Sequence, residues 1–246
     1  MDLICSTCDT RPMWINALNM NLLQCPICRR IGGSAQFKEM MNMDHKPFII
    51  IVEGPQGVGK TTLTNWLRDN YKYCELMRLT GSAPISKELH EKVGLEYHIG
   101  ALERCENLVA MGCFNVIMDR SYFSEAVYAV LYKGYNPFDG LMNYCQILGD
   151  IATRQDVNIL IINLKGTEDF FEKSLKRNKP DYQDVKYGVE TSIAQQDMYE
   201  RLMRQAEIKL NFLDNIKWCT IMVGNHTNAE SIQSSVKNYL DKHLEV

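Results

Sequence analysis

From Phe48 onward the chain alternates short runs that are apolar almost throughout with longer stretches whose apolar residues recur every three or four positions. The runs are "FIIIV" (48–52), "CELMRL" (74–79), "NVIMD" (115–119), "VNILIINL" (157–164) and "KWCTIMV" (217–223). They lack the strict polar and apolar alternation of a strand with one wet face, so each predicts a strand covered on both sides. The stretches between them read as helices: over about 60–70, in pieces up to about 112, again up to about 155, and as one long amphipathic helix over about 189–212. Strand and helix in alternation predict an α/β fold, a five-stranded parallel sheet with helices on both faces.

Ahead of Pro47 that pattern is absent. Cys5, Cys8, Cys25 and Cys28 form two C-x2-C pairs with sixteen residues between them, the spacing of a tetrathiolate zinc site. Four thiolates fill a tetrahedral shell and leave no open position, so the expected ion is a structural Zn2+ in a small ribbon or knuckle. "SAQFKEMMNMDHKP" then reads as a short helix or linker, which puts a zinc module over 1–45 and the α/β domain over 46–246. Cys74, Cys105, Cys113, Cys145 and Cys219 are scattered through apolar segments and read as ordinary buried thiols.

The turn after the first apolar run carries the chemistry. Gly54, Pro55, Gln56, Gly57, Val58, Gly59, Lys60 and Thr61 fit G-x-x-x-x-G-K-[ST], with a strand before and a helix after, as a P-loop requires. Its glycines let backbone amides turn inward on a polyphosphate, and the helix N-terminus adds its positive end. Lys60 is expected to reach the β and γ phosphates, and Thr61, followed by Thr62, to serve the Mg2+ side of bound ATP.

Other residues narrow the reaction. Asp119 and Arg120 end the third apolar run, at the edge where open α/β sheets bind ligands. A carboxylate there can hold a metal's water shell, and a guanidinium can clamp phosphate through paired hydrogen bonds. Glu53, between the first strand and the P-loop, is a candidate to orient or deprotonate an acceptor. Lys176, Arg177 and Lys179 fall on a segment after the fourth strand, suited to a lid that closes on the transferring phosphoryl group; Arg177 is the candidate catalytic cation. The Asn-Lys-x-Asp guanine reader of a GTPase is missing, since "RNKPD" follows a helix and not a buried strand.

Composition sets the partners. With a net charge of −3 and a pI of about 6.0, the chain has no overall attraction for polyanions. Residues 1–46 hold five Lys and Arg against four Asp and Glu, a weak footprint for DNA. Arg29, Arg30 and Trp14 nevertheless keep a small nucleic-acid contact through the zinc module in view. The sequence has no apolar run near the ~20 residues of a membrane span and no signal-peptide layout at its start, so no membrane partner and a cytoplasmic protein are expected.

"EGPQGVGKTT", "DRSYFSE" and "KRNK", in that order, resemble the thymidylate kinase-like group of P-loop nucleoside and nucleotide kinases over roughly residues 47–246. The resemblance implies a P-loop nucleotide-kinase fold with a lid, using ATP and Mg2+. It also implies acceptor binding by Arg120, by Arg78 in "MRLTG" and by Arg104 in "ALER". The acceptor it implies is a thymidine-type pyrimidine nucleotide, most simply dTMP, and a homodimer is compatible with it. This chain has Gln56 where thymidylate kinases commonly carry an acidic residue, and "RLTGSAP" where they carry Arg-Glu-Pro-Gly-Gly-Thr. Both departures touch the acceptor pocket. The alternative acceptor is a modified pyrimidine within DNA, such as 5-hydroxymethyluracil. The alternative outside enzymes is a non-catalytic ATP-binding regulator.

Overall fold

The computed structural model describes residues 3–5, 13–17, 20–24, 31–32, 37–39, 46–79, 87–111, 114–177 and 188–243. Before residue 45 the description is of backbone alone. There Met13–Ala17 (β2), Met20–Gln24 (β3) and Ile31–Gly32 (β4) form an antiparallel three-stranded sheet, while Leu3–Cys5 (β1) pairs antiparallel with Phe37–Glu39 (β5). The expectation of a short helix or linker over the segment holding Phe37–Glu39 is therefore corrected. A helix this short has an unfavourable nucleus, whereas pairing with β1 satisfies the same backbone groups. Cys8, Cys25 and Cys28 lie outside the described residues, and Cys5 enters only as backbone in β1.

The five apolar runs make one sheet. Phe48–Glu53 (β6), Cys74–Arg78 (β7), Asn115–Asp119 (β8), Asn158–Gly166 (β9) and Ile216–Val223 (β10) lie in the order β10-β9-β6-β8-β7, every pairing parallel. β6 is central and all six of its residues are buried. Alternate residues feed two cores. Ile49, Ile51, Met118 and Ile161 face Lys87–Ala110 (α2), Tyr122–Tyr128 (α3), Phe138–Arg154 (α4) and Val189–Leu210 (α6). Ile50, Val52, Ile117 and Ile162 face Lys60–Asn70 (α1), Glu168–Arg177 (α5) and Ala229–His243 (α7). Burial on both sides is the reason the strands read as continuous apolar runs.

Register then fixes the ligand edge. Asp119 pairs with Val52 on one side and Arg78 on the other, and Glu53 pairs with Asn163. The carboxyl ends of the three adjacent strands β7, β8 and β6 thus present polar side chains along one rim, while Asn163 lies three residues before the end of β9. One break was not expected from periodicity. The helix after β8 stops at Tyr128, passes through a π-turn over Ala129–Lys133, and resumes only at Phe138. The Gly134 amide bonds to Ala129 O at 2.8 Å, and Gly134, at φ 67°, takes the left-handed conformation that ends the turn. Helix α7 and the exact extent of β9 were likewise not read from the pattern.

Candidate active site

The loop between β6 and α1 is built so that only glycine fits its first bend. Gly54 has φ 138°, and a Cβ there would lie 2.3 Å from Leu164 O of β9. Lys60 curls back over the loop: its Nζ donates to Gly54 O and to Pro55 O, both at 2.7 Å, and the side chain is buried. Burial, and then repulsion from Arg120, push the Lys60 ammonium well below its ordinary pKa of 10.5, with Glu53 and Asp119 opposing. Phosphate oxygens in the loop would restore the charged form. The cradle is braced from outside as well. Ser174 of α5 donates to Gly57 O at 2.7 Å, and the Gln56 amide donates to Gln195 Oε1 of α6 at 3.0 Å. Gln195 Nε2 in turn donates to Tyr132 OH of the π-turn at 2.9 Å.

Next to Lys60, Thr61 Oγ1 donates to Asp119 Oδ2 at 2.9 Å, and Thr64 Oγ1, about a turn further along α1, reaches the same oxygen at 3.4 Å. A hydroxyl and a carboxylate, both hard oxygens beside the phosphate loop, fit Mg2+. Thr61 and Asp119 would hold it, and when bound it neutralises phosphate charge. No group of three or more His, Cys, Asp or Glu side chains among the described residues is placed to hold a metal ion.

Beside Asp119 is a buried carboxylate with its own support. Glu53 accepts from Ser121 Oγ at 2.7 Å and from Ser124 Oγ at 2.6 Å. Because Ser124 spends its proton on Glu53, the 2.7 Å contact with Tyr199 must run from the tyrosine O–H to Ser124. Arg120 Nη1 adds a donor to Ser124 at 3.3 Å, and its guanidinium lies 5.9 Å from the Tyr128 ring centre. Burial raises the Glu53 pKa above its ordinary 4.5, against the pull of both serines, Arg120 and Lys60. Arg120 has φ 77°, a conformation unusual for a side chain with a Cβ, while its amide bonds to Val52 O at 3.1 Å. Strain of this kind is typically held where a side chain must be aimed.

Other expected residues are spread further. Arg78 stands at the rim on β7, with Nη2 donating to Asn65 Oδ1. Arg104 does not join them. It bonds Glu75 Oε1 at 2.6 Å, and Glu75 pairs with Val116, three residues short of the rim that Asp119 ends. The helical phase of α2 puts Arg104 on the outer wall. Lys176 and Arg177 close α5 as backbone, their side chains and Lys179 lying outside the described residues. On the far side of the P-loop a cavity of about 490 Å³ is lined by Gly57, Val58, Gly59, Thr62, Phe170 and Gln233, among others, a volume suited to a nucleoside.

Several participants were not singled out in the sequence. Gln195 and Tyr199 are polar interruptions on the buried face of α6, and that was their available signal. Glu125, buried on α3, accepts from Lys133 Nζ at 2.5 Å and Tyr135 OH at 2.6 Å. His98 on α2 is buried with its ring 5.7 Å from Tyr122. Neither group had a spacing that marked it.

Comparison with known proteins agrees on the class of fold. No family model matches the chain. A guanylate kinase of Mycoplasma genitalium is 26% identical over 180 residues, covering 69% of this chain and 67% of that protein. Among solved structures, polyphosphate kinase 2 of Arthrobacter aurescens TC1 superposes with a TM-score of 0.56 at 16% identity, covering 82% of this chain and 69% of that one. Thymidylate kinase of Candida albicans gives 0.50 at 13% identity, over 80% and 92% of the two chains. The shared fold is the five-stranded parallel sheet of P-loop kinases. No helix among the described residues is long and apolar enough to cross a membrane.

Proposed function

We infer that this chain, an ATP-dependent kinase by its cradle, its fold and its curated likeness, passes the γ-phosphoryl group of ATP to a thymidine-type pyrimidine nucleotide, most simply dTMP. One observation carries the choice of a phosphate acceptor. Arg78 and Arg120 stand at or just beyond the ends of the neighbouring strands β7 and β8, Arg78 turned toward Asn65 of α1 and Arg120 toward Ser124 of α3, so the rim offers an incoming phosphate a guanidinium on each side. The donor would lie in the P-loop, its phosphates on the loop amides and Lys60, its base in the cavity beside Phe170. Positioning and charge neutralisation by Lys60, Arg120 and the lid cation Arg177 then supply the rate.

A second reading is favoured by Glu53. An alcohol must lose its proton to attack phosphorus, whereas a phosphomonoester is already ionised at neutral pH, so a buried carboxylate of raised pKa suits a hydroxyl acceptor. A 5-hydroxymethylpyrimidine within DNA is such an acceptor. The zinc module, with Zn2+ on Cys5, Cys8, Cys25 and Cys28, would then present the strand. The experiment is transfer of label from γ-labelled ATP with Mg2+ to dTMP, dUMP, GMP and 5-hydroxymethyluracil DNA in parallel. Label on dTMP supports the first reading. Label only on DNA replaces it with the second, label only on GMP refutes the pyrimidine assignment, and ATP binding with no transfer would leave the regulator.

A further inference from the structure

A second cavity, of about 200 Å³, lies on the α6 face of the sheet, over β9 and β10 and away from the P-loop. Its inner wall holds Asn163, only 6% exposed, and Trp218. Asn163 Oδ1 and Trp218 Nε1 are buried with no hydrogen-bond partner among the described residues. An acceptor and a donor are thus left unsatisfied beside one small space, and a ligand that pairs both would recover what burial takes from them. Trp218 is held in place by its ring, edge-on to Phe123 at 5.9 Å.

The rim restricts what can enter. Lys165 is bound by Glu200 at 2.8 Å, and Arg204 and Glu207 both line the α6 wall, so two cations and two carboxylates balance and a strongly charged ligand gains little. The volume accommodates about one ring with its substituents. A ring with a carbonyl and an adjacent N–H on one edge offers Asn163 the acceptor and donor that a carboxamide pairs with, and a second carbonyl can accept from the indole N–H. We propose that this cleft binds an uncharged pyrimidine base as an effector separate from the catalytic rim. The edge chemistry stands on the cavity alone; the choice of pyrimidine among cyclic amides rests on the kinase reading.

The route to the rim is short. Asn163 is the register partner of Glu53, and α6 carries both the cavity wall, through Glu200 and Arg204, and the two residues that hold the site, Gln195 and Tyr199. A ligand that shifts α6 therefore acts on the P-loop amide of Gln56 and on Ser124.

The test is calorimetric titration of the full chain with uracil, the P-loop being filled with a non-hydrolysable ATP analogue, alongside ATP-turnover assays with and without uracil. Uracil is expected to bind and to change the KM for ATP. Asn163→Leu should weaken uracil binding by about tenfold or more, the value of a lost buried hydrogen bond, with ATP-analogue binding intact. Trp218→Phe keeps the ring contact with Phe123 and removes only the N–H, so it tests the site where Asn163→Leu fails to fold. N,N′-dimethyluracil, lacking the N–H edge, should not bind. No uracil binding, equal binding of the dimethyl compound, or binding unchanged in Trp218→Phe would each overturn the site, and binding without effect on turnover would overturn the effector role. The binding readouts do not depend on which acceptor the kinase uses, and the turnover assay takes whichever acceptor the labelling experiment identifies.

Discussion

Thr61 Oγ1 donates to Asp119 Oδ2 across 2.9 Å, joining the first turn of α1 to the last residue of β8. The two belong to different segments, fifty-eight residues apart, and meet because β6 and β8 are hydrogen-bonded neighbours. The oxygen pair that suits Mg2+ is therefore set by the sheet and needs no rearrangement of main chain.

Asp119→Asn tests that arrangement. The amide keeps the hydrogen bond from Thr61 and removes the charge, so the fold should be retained while the demand for metal rises. Turnover at saturating ATP is expected to drop by about a hundredfold or more, the loss typical of one electrostatic element of a phosphoryl-transfer site. A magnesium titration of the variant should reach its plateau at higher metal than the native chain. An unchanged magnesium dependence would remove Asp119 from the metal's shell.

Glu53→Gln separates the acceptor readings and has a signature in stability. A carboxyl whose folded pKa lies above its ordinary 4.5 binds more protons folded than unfolded, so stability falls as pH rises from about 4.5 through the folded value. Glutamine removes that slope and keeps one of the two acceptor oxygens, so one of the serine hydroxyls must rotate to accept from its amide nitrogen. The variant should lose pH-dependent destabilisation above 4.5, read by denaturant midpoints across pH. If the acceptor is a phosphate, kcat should fall less than about tenfold; if it is a hydroxyl, the loss of a general base should cost about 10²-fold or more.

Much of this fold is written locally. The P-loop is consecutive in sequence and bends the same way wherever a strand, glycines and a helix meet, and β6, β8 and β9 are covered on both faces, so their apolar runs announce them. The cluster of Glu125 with Lys133 and Tyr135 is different, because a π-turn sets its spacing and no hydrophobic period encodes that turn. Gln195 meets the amide of Gln56 from 139 positions away, through the docking of α6 beside the loop, and only the assembled layers create that contact. Arg104 shows the reverse. Its motif position pointed to the rim, and the phase of α2 turned it toward Glu75 instead.

Gly54→Ala should be among the most damaging single-methyl changes in the molecule. The added Cβ would fall 2.3 Å from Leu164 O, a backbone atom of a central strand that cannot step aside, and φ 138° is strained for any side chain. Destabilisation of about 3 kcal/mol or more is expected from urea unfolding, together with loss of ATP binding. Gly100→Ala, where nothing lies within 4 Å of the new carbon and the site is helical, is the control and should be neutral or slightly stabilising.

His98 gives the opposite pH signature to Glu53. Burial holds its pKa down at about 4 against an ordinary 6.5, with Glu125 opposing. The unfolded chain therefore takes up the proton first, and stability falls as pH drops from 6.5 toward about 4. The loss is on the order of 3 kcal/mol across that interval. His98→Phe should flatten this limb of the stability profile. A profile identical to that of the native chain would mean that His98 is not the residue responsible.

Arg78→Ala and Arg104→Ala, made side by side, ask which guanidinium serves the acceptor. Arg78 stands at the rim beside Asp119, so its removal should raise the acceptor KM by about tenfold or more if the acceptor is a phosphate, since a charge-assisted bond is lost. Arg104 holds only Glu75 on an exposed surface, an ion pair worth under about 1 kcal/mol. Its alanine variant should leave kcat and KM within about twofold of native and move stability little. A large acceptor effect from Arg104→Ala would mean that α2 shifts when substrate binds and carries Arg104 to the rim. Equal, small effects from both would withdraw the paired-arginine account and leave Arg120 with Glu53, the pairing that favours a hydroxyl acceptor.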